Sequence, residues 1–389
     1  MYKREMQSEL ERLAKSFPVV TVIGPRQSGK TTLVQLTFPD KPYVNLEDPD
    51  ARAFAEADAR AFLERFPDGA IIDEVQRAPQ LLSYIQVIVD ERKIDGMYIL
   101  TGSHQLELHQ AISQSLAGRT ALLTLLPLSL SELQTAGIEQ TLDERLLTGG
   151  FPRLFQRHLD SQTIYSAYLR TYVERDVRQI AYVKDLALFQ KFIQLCAGRI
   201  GQILKVDSLA GDVGVSSRTI KHWLSILEAS YLIVLLQPYY ENLGKRAIKS
   251  PKLYFTDVGL ASYLLGIENS TQMARDPLRG NLVENLVLLE LLKHRYNRAK
   301  DPRLYFFRDA HGHEVDFLYL SGRKFIPIEV KAASTFNEQF LKELRYFEKL
   351  VGDRFAKGYL IYSGPHEQQI ESLAVLHYMH AARSIEESS

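Results

Sequence analysis

The sequence predicts an α/β protein in three parts: a parallel sheet with helices on both faces, a helical stretch, and a smaller α/β unit. Three observations carry that expectation. Strand-like and helix-like patterns alternate from residue 19 to residue 126. The first strand pattern runs into a glycine-bounded loop, Gly24-Pro25-Arg26-Gln27-Ser28-Gly29-Lys30-Thr31-Thr32, which opens a helical pattern. Beyond residue 300, apolar strand runs carrying acids are joined by a tight Ser321-Gly322 turn.

In order, an amphipathic helix is expected over 2–15 and a strand over 19–23. A helix over 30–36, a strand over 42–46 and an Ala-rich helix over 50–64 follow. Then come a strand at 70–73, a helix at 80–91, a strand at 97–101, a helix at 105–116 and a strand at 121–126. Such alternation implies parallel strands, with a ligand at their C-terminal ends.

The loop is G-x-x-x-x-G-K-T between strand and helix, the pattern of a P-loop that takes ATP with Mg²⁺. Gly24 and Gly29 allow backbone conformations that a Cβ would block. The loop N–H groups then wrap a phosphate at a helix N-terminus. Lys30 supplies charge to the β/γ oxygens and Thr31 a hydroxyl to Mg²⁺. Gly69-Ala70-Ile71-Ile72-Asp73-Glu74 is an apolar strand ending in two acids. Asp73 is the expected Mg²⁺ carboxylate through water, and Glu74 the group that orients or deprotonates the attacking water. Thr101 or Ser103, at the end of the next strand, is placed to sense the γ-phosphate. Ser103 equally suits a helix N-cap. Arg119 is the candidate finger offered to a neighbouring subunit, and Arg153 the candidate sensor in cis.

G-P-R-Q-S-G-K-T-T, I-I-D-E-V-Q, I-L-T-G-S, L-A-G-R and G-G-F-P occur in this order. Together they resemble the prokaryotic ATPases of the AAA+ superfamily that carry a C-terminal domain formerly of unknown function. The resemblance spans essentially the whole chain. The boundaries it suggests are an ATPase domain over 1–157, a helical linker and winged-helix domain over 158–270, and a nuclease-like domain over 271–389.

A long helical pattern over 160–180 and an amphipathic helix over 186–200 lead into a helix-turn-helix layout. Its turn contains Gly214, and Ser216 or Ser217 caps the second helix. Ile220, Trp223, Leu224 and Leu227 should pack inward, leaving Ser217, Arg218, Lys221 and His222 on the exposed face. Strands over 232–236 and 252–255 flank a loop carrying Lys245, Arg246 and Lys249, as a basic wing would. From residue 195 to 255, eight Lys and Arg face four acids, a local excess that suits DNA phosphates.

Farther on, Glu284 lies on a strongly helical run, and strands are expected over 304–308, 313–320 and 324–331. Glu329 and Lys331 are two apart on a strand and so share a face. Asp316 reaches that face if its strand pairs antiparallel through the Ser321-Gly322 turn, and Glu284 can come across from the helix. Three acids and a lysine in one place suggest a cation site. Asp316, Glu329 and the carbonyl of Val330 are its expected ligands, with Lys331 handling a water. The order Glu…Asp…Glu-x-Lys resembles the PD-(D/E)xK nuclease fold of restriction endonucleases and archaeal Holliday-junction resolvases. Val315 rather than Pro precedes Asp316, which departs from the pattern. His311 and His313 lie beside the cluster, on a turn. A helix over 337–350, a last strand over 358–361 and a frayed tail after residue 382 complete the reading.

Composition narrows little else. Lys plus Arg and Asp plus Glu both number 47, so global charge selects no partner. One cysteine excludes an internal disulfide framework, which points to the cytoplasm. Residues 1–15 lack the apolar core of a signal peptide, and no apolar run approaches a membrane span. Three functions stay open. One is an Mg²⁺-dependent ATPase that binds or remodels DNA, duplex or branched, as a homo-oligomer with a hexameric ring as one form. The others are a nucleotide-gated protein-interaction switch with an inactive nuclease-like domain, and an ATP-regulated, Mg²⁺-dependent DNA endonuclease.

Overall fold

The computed structural model describes residues 2–103, 114–156, 159–171, 185–239 and 249–386. Strands β1 (Val19–Ile23), β2 (Tyr43–Asn45), β3 (Ala70–Asp73), β4 (Tyr98–Gly102) and β5 (Thr120–Thr124) form one sheet in the order β2-β3-β4-β1-β5. Every pair is parallel. Successive side chains alternate between two cores, as strand geometry requires. Val20, Val22, Ile71 and Ile99 meet Leu10 and Leu33 on one face. Val19, Ile23, Ile72 and Leu100 meet Leu82 and Ile85 on the other. Burial on both faces explains why these strands read as continuous apolar runs.

The helix expected over 50–64 is two helices, Pro49–Ala57 and Ala59–Glu64. Asp58 breaks it: its carboxylate accepts from Ala61 N at 2.9 Å and caps the second piece. The helix expected over 105–116 falls mostly outside the described residues, as does the later half of the one expected over 160–180.

The middle of the chain contains the helices Val206–Val213 and Ser217–Ala229, joined through Gly214 in the left-handed region at φ 92°. The Ser216 hydroxyl accepts from Thr219 N at 3.1 Å and caps the second helix. Trp223 packs edge-on against Phe189 at 5.1 Å, with Phe192 at 5.4 Å. Each such aromatic pair contributes about 1 kcal/mol beyond its buried area. Strands β6 (Ile233–Leu236) and β7 (Lys252–Phe255) follow as an antiparallel pair.

The third unit is a mixed sheet of six strands, in the order β12-β13-β11-β10-β9-β8. These are β8 (Leu304–Arg308), β9 (Glu314–Ser321), β10 (Lys324–Lys331), β11 (Gly358–Tyr362), β12 (Gln368–Ile370) and β13 (Leu373–His377). β9 and β10 pair antiparallel with Ser321 opposite Lys324, the register the turn demanded. The helix Arg279–Tyr296 packs against β10 and is buried along most of its length. Two strands, β12 and β13, were not expected. The tail is not frayed after 382: Arg383–Glu386 is helical, with Ile385 fully buried. Among the described residues, no helix is long and apolar enough to cross a membrane.

Candidate functional site

β1 ends at Gly24, whose φ is 146° and where an added Cβ would lie 2.2 Å from the carbonyl oxygen of Leu125. Gln27 (φ 62°) and Gly29 (φ 93°) turn the loop into the helix Lys30–Thr37. Lys30 is buried, and its Nζ donates to the carbonyls of Gly24 at 3.0 Å and Pro25 at 2.9 Å. Burial lowers its pKa to about 8, against the pull of Glu74 and Asp73. Ser28 Oγ is buried with no hydrogen-bond partner. An ammonium bonded only to carbonyls, a lone hydroxyl and a helix N-terminus all fit a phosphate chain.

β4 lies between β1 and β3, so its end meets both the loop and the acids. Asp73 Oδ2 accepts from the Thr31 hydroxyl at 2.9 Å and from the Tyr43 hydroxyl at 2.8 Å. Its Oδ1 accepts from the Thr101 hydroxyl. Thr31 and Asp73 therefore stand side by side, which fits Mg²⁺ held by few protein oxygens and completed by phosphates. Glu74 has a left-handed backbone at φ 56°, a conformation that costs about 1–3 kcal/mol outside glycine. Its Oε2 accepts from Ser103 Oγ at 2.7 Å and from the Gln76 amide. Burial pushes the Glu74 carboxyl up, but Lys30, Ser103, Arg26 and Gln76 together hold it below the ordinary value.

Four partners here escaped the sequence reading. Tyr43 was read only as part of a strand, and nothing local marks its hydroxyl. Gln76 sat within the motif I-I-D-E-V-Q. Arg4 is buried; it donates to the Ser28 carbonyl at 2.7 Å, the Leu126 carbonyl at 2.7 Å and Glu132 Oε1 at 2.9 Å. Glu132 in turn caps its own helix with Ser129. A cleft of about 330 Å³ opens beside Gly29, bordered by Tyr2, Arg4, Thr32, Leu128 and Pro152.

The two arginines differ in place. Arg119 precedes β5, at the end of the sheet opposite the loop, and its guanidinium grips Asp90 at 2.6 and 2.8 Å. It does not serve its own chain's loop. Arg153 is exposed on the helix Pro152–Gln156. Arg26 lies 3.6 Å from Glu47.

The second cluster forms where β7, β9, β10 and the helix Arg279–Tyr296 meet. Glu284, Asp316, Glu329 and Lys331 converge as expected. Asp316 Oδ2 accepts from Val330 N at 2.9 Å, and Lys331 Nζ donates to Glu329 Oε1 at 2.5 Å. Three further residues were not foreseen: Lys252, Tyr254 and Glu314. Lys252 is 2% exposed. Its Nζ lies 3.0 Å from Glu284 Oε1, 2.5 Å from Glu314 Oε1 and 3.8 Å from Asp316 Oδ1. Tyr254 donates to Glu284 Oε1 at 2.5 Å, and Arg308 to Glu314 Oε2 at 2.9 Å. Burial, then the charge of Asp316, raises Glu284 to about 7 and Glu329 to about 8. Burial pulls Lys252 down, but Glu284, Asp316 and Glu314 outweigh it and raise its pKa. Among the described residues, no group of three or more His, Cys, Asp or Glu side chains is arranged to hold a metal ion. His313 turns away, bonded to Glu343 at 2.9 Å and stacked on Tyr346.

On the helix Ser217–Ala229, Arg218, Lys221 and His222 are exposed, whereas Ser217 donates to Asp207. Lys249 is exposed, and Lys245 and Arg246 lie outside the described residues. The expected basic excess is smaller than the count: Lys252 is buried among acids and Arg199 pairs with Asp212.

A family profile described as an AAA domain matches residues 16–134. Two profiles for domains of unknown function, DUF8612 and DUF4143, match residues 139–271 and 279–381. The chain is 30% identical over 377 residues to the Uncharacterized protein Rv2008c of Mycobacterium tuberculosis, covering 96% of this chain and 82% of the relative. Mb2031c of Mycobacterium bovis matches with the same values. An Uncharacterized protein of Haemophilus influenzae is 24% identical over 313 residues, covering 72% of this chain and 75% of its own. Among solved structures, the Walker-type ATPase PABY2304 of Pyrococcus abyssi superposes at a TM-score of 0.43 with 14% identity, over 68% of this chain and 96% of that one. AMPPCP-bound DnaA from Aquifex aeolicus superposes at 0.31 with 15% identity, over 57% and 85%.

Proposed function

The chain belongs to the same protein family as the mycobacterial proteins Rv2008c and Mb2031c and is a P-loop ATPase of the AAA type; on that premise we propose that it couples Mg²⁺-dependent ATP hydrolysis to the binding or remodelling of DNA. The observation that carries the nucleotide half is the state of Lys30, a buried ammonium held by two backbone carbonyls and by no carboxylate. Phosphate oxygens are better partners for it than either carbonyl.

In this reading the loop from Gly24 to Thr32 cradles the phosphates, and the cleft beside Gly29 takes the rest of the nucleotide. Thr31 and Asp73 would hold Mg²⁺, which would supply positive charge to the phosphates. Glu74 is ionised at neutral pH, so it can orient a water and accept its proton. Ser103 and Gln76 fix the carboxylate that does so. Tyr43 and Thr101 hold Asp73 in one rotamer beside Thr31. Arg119 reaches the site of a neighbouring subunit, which implies a homo-oligomer.

The DNA half rests on Arg218, Lys221 and His222, three exposed residues at the start of a helix-turn-helix second helix. Lys245, Arg246 and Lys249 would extend the contact to the backbone. ATPase assays on a panel of duplex, forked and four-way DNA test the proposal. Stimulation that is lost in Lys30→Ala, and weakened when Arg218 and Lys221 become Ala, is the expected result. No stimulation by any of the three, together with no retention in a low-salt gel shift, refutes the DNA half and leaves the ATPase.

A second reading, a nucleotide-controlled switch for protein partners, draws support from the pairing of Lys252 and Arg199 within the chain. It predicts slow turnover unaffected by DNA.

A further inference from the structure

The resemblance of Glu284, Asp316, Glu329 and Lys331 to a nuclease centre implies a divalent cation among them. The residues present do not fit one. A hard cation needs several carboxylate or carbonyl oxygens within about 2.0–2.6 Å of one point. Here a cation already stands among three of the acids. Lys252 Nζ is within 3.0 Å of Glu284 and Glu314 and 3.8 Å from Asp316. Its Nζ also lies 5.6 Å from the centroid of the Phe306 ring, and the side chain is 2% exposed. Arg308 holds the second oxygen of Glu314, and Lys331 holds Oε1 of the remaining acid, Glu329, whose Oε2 is buried without a hydrogen-bond partner. The ammonium repels a divalent ion brought to the same oxygens of Glu284 and Glu314, which already face the nitrogen.

We infer that Lys252 is the resident cation of this cluster, held by Glu284 and Glu314 beside Asp316, so that the C-terminal unit as folded takes up no Mg²⁺ and cuts no phosphodiester. The ammonium comes from β7, on the hairpin that follows the helix-turn-helix, and not from the sheet that carries Asp316 and Glu329. It bonds that hairpin to the C-terminal sheet and to the helix Arg279–Tyr296. Tyr254, two residues on, makes a parallel bond to Glu284. Without the ammonium, Glu284 and Asp316 lose their nearest counter-charge and Glu314 keeps only Arg308, and a divalent cation becomes their natural partner.

Mn²⁺ titration of the nucleotide-free full-length chain, followed by the loss of the free-ion electron paramagnetic resonance signal, tests this. The wild-type chain should show no site tighter than millimolar, and it should not nick supercoiled plasmid in Mg²⁺ or Mn²⁺. Lys252→Ala should gain one Mn²⁺ site, lost again when Asp316→Asn is added. A wild-type Mn²⁺ site that vanishes in Asp316→Asn overturns the inference, and that measurement needs no variant at position 252. A natively folded Lys252→Ala chain, by circular dichroism, that gains no site overturns it as well.

Discussion

The crest of the parallel sheet and the cluster beside the mixed sheet are built from the same residue types and end in opposite electrostatic states. At the crest, Lys30 bonds only to carbonyls, while Asp73 and Glu74 are held by the neutral hydroxyls of Thr31, Tyr43, Thr101 and Ser103. In the cluster, Lys252 bonds directly to carboxylates. The pKa shifts follow. Burial lowers Lys30 against the pull of Glu74 and Asp73, and Lys30 and Ser103 hold Glu74 below its ordinary value against burial, whereas the surrounding acids raise Lys252, and burial with the charge of Asp316 raises Glu284 and Glu329 to about 7 and about 8. A lysine kept apart from its acids is poised for an incoming anion. A lysine placed between them is already neutralised within the chain.

Substitutions should separate the two. The largest expected effect is on turnover: Lys30→Ala and Glu74→Gln should each lower ATP hydrolysis by about 10²–10⁴-fold, measured as phosphate release. Glu74→Gln should still bind nucleotide, by fluorescent-analogue titration. Thermal stability should move little in either.

The reverse holds for the cluster. Lys252→Ala should cost about 3–5 kcal/mol, since it takes from the buried Glu284 its cation, while sparing the P-loop chemistry in whatever fraction stays folded. Thermal unfolding of the two single variants side by side checks the contrast. Equal losses for Lys30→Ala and Lys252→Ala would erase it.

The pH dependence sharpens the comparison further. Glu284 and Glu329 titrate at about 7 and about 8 when folded, against an ordinary 4.5. Between those values the folded chain holds protons that the unfolded chain has released, so stability falls as pH rises across that window. Glu329→Gln should flatten the decline in a thermal-melt series at constant ionic strength. Lys30 has the opposite sign: with its folded value down at about 8, its contribution to stability rises from there toward the ordinary 10.5. The smallest effect belongs to Arg119→Ala. Removing an exposed pair with Asp90 should leave the melting point unchanged but weaken ATPase activity wherever activity rises with protein concentration.

Much of the fold could be read from local patterns. Gly214 and Ser216 marked the junction of the helices Val206–Val213 and Ser217–Ala229 because a left-handed turn and an N-cap have strict residue preferences. Other elements have no local signal. β12 is Gln368–Ile370, polar in composition, and becomes a strand only because β13 offers it an edge. The tail helix is held by Ile385 in the core and by Glu386 facing His294 and Arg298 at 3.4 Å. Nothing in a charged, serine-rich tail marks that docking.

The sequence by itself determined the phosphate loop and the acids of β3, because strand, glycine turn and helix start are consecutive and their backbone geometry leaves few residue choices. Tertiary structure alone decided what charge each acid faces. Lys252 lies 32 residues before Glu284 and on a different element, and no spacing rule connects them. Charge is compensated through space in a low-dielectric interior, where a few ångströms outweigh any distance along the chain.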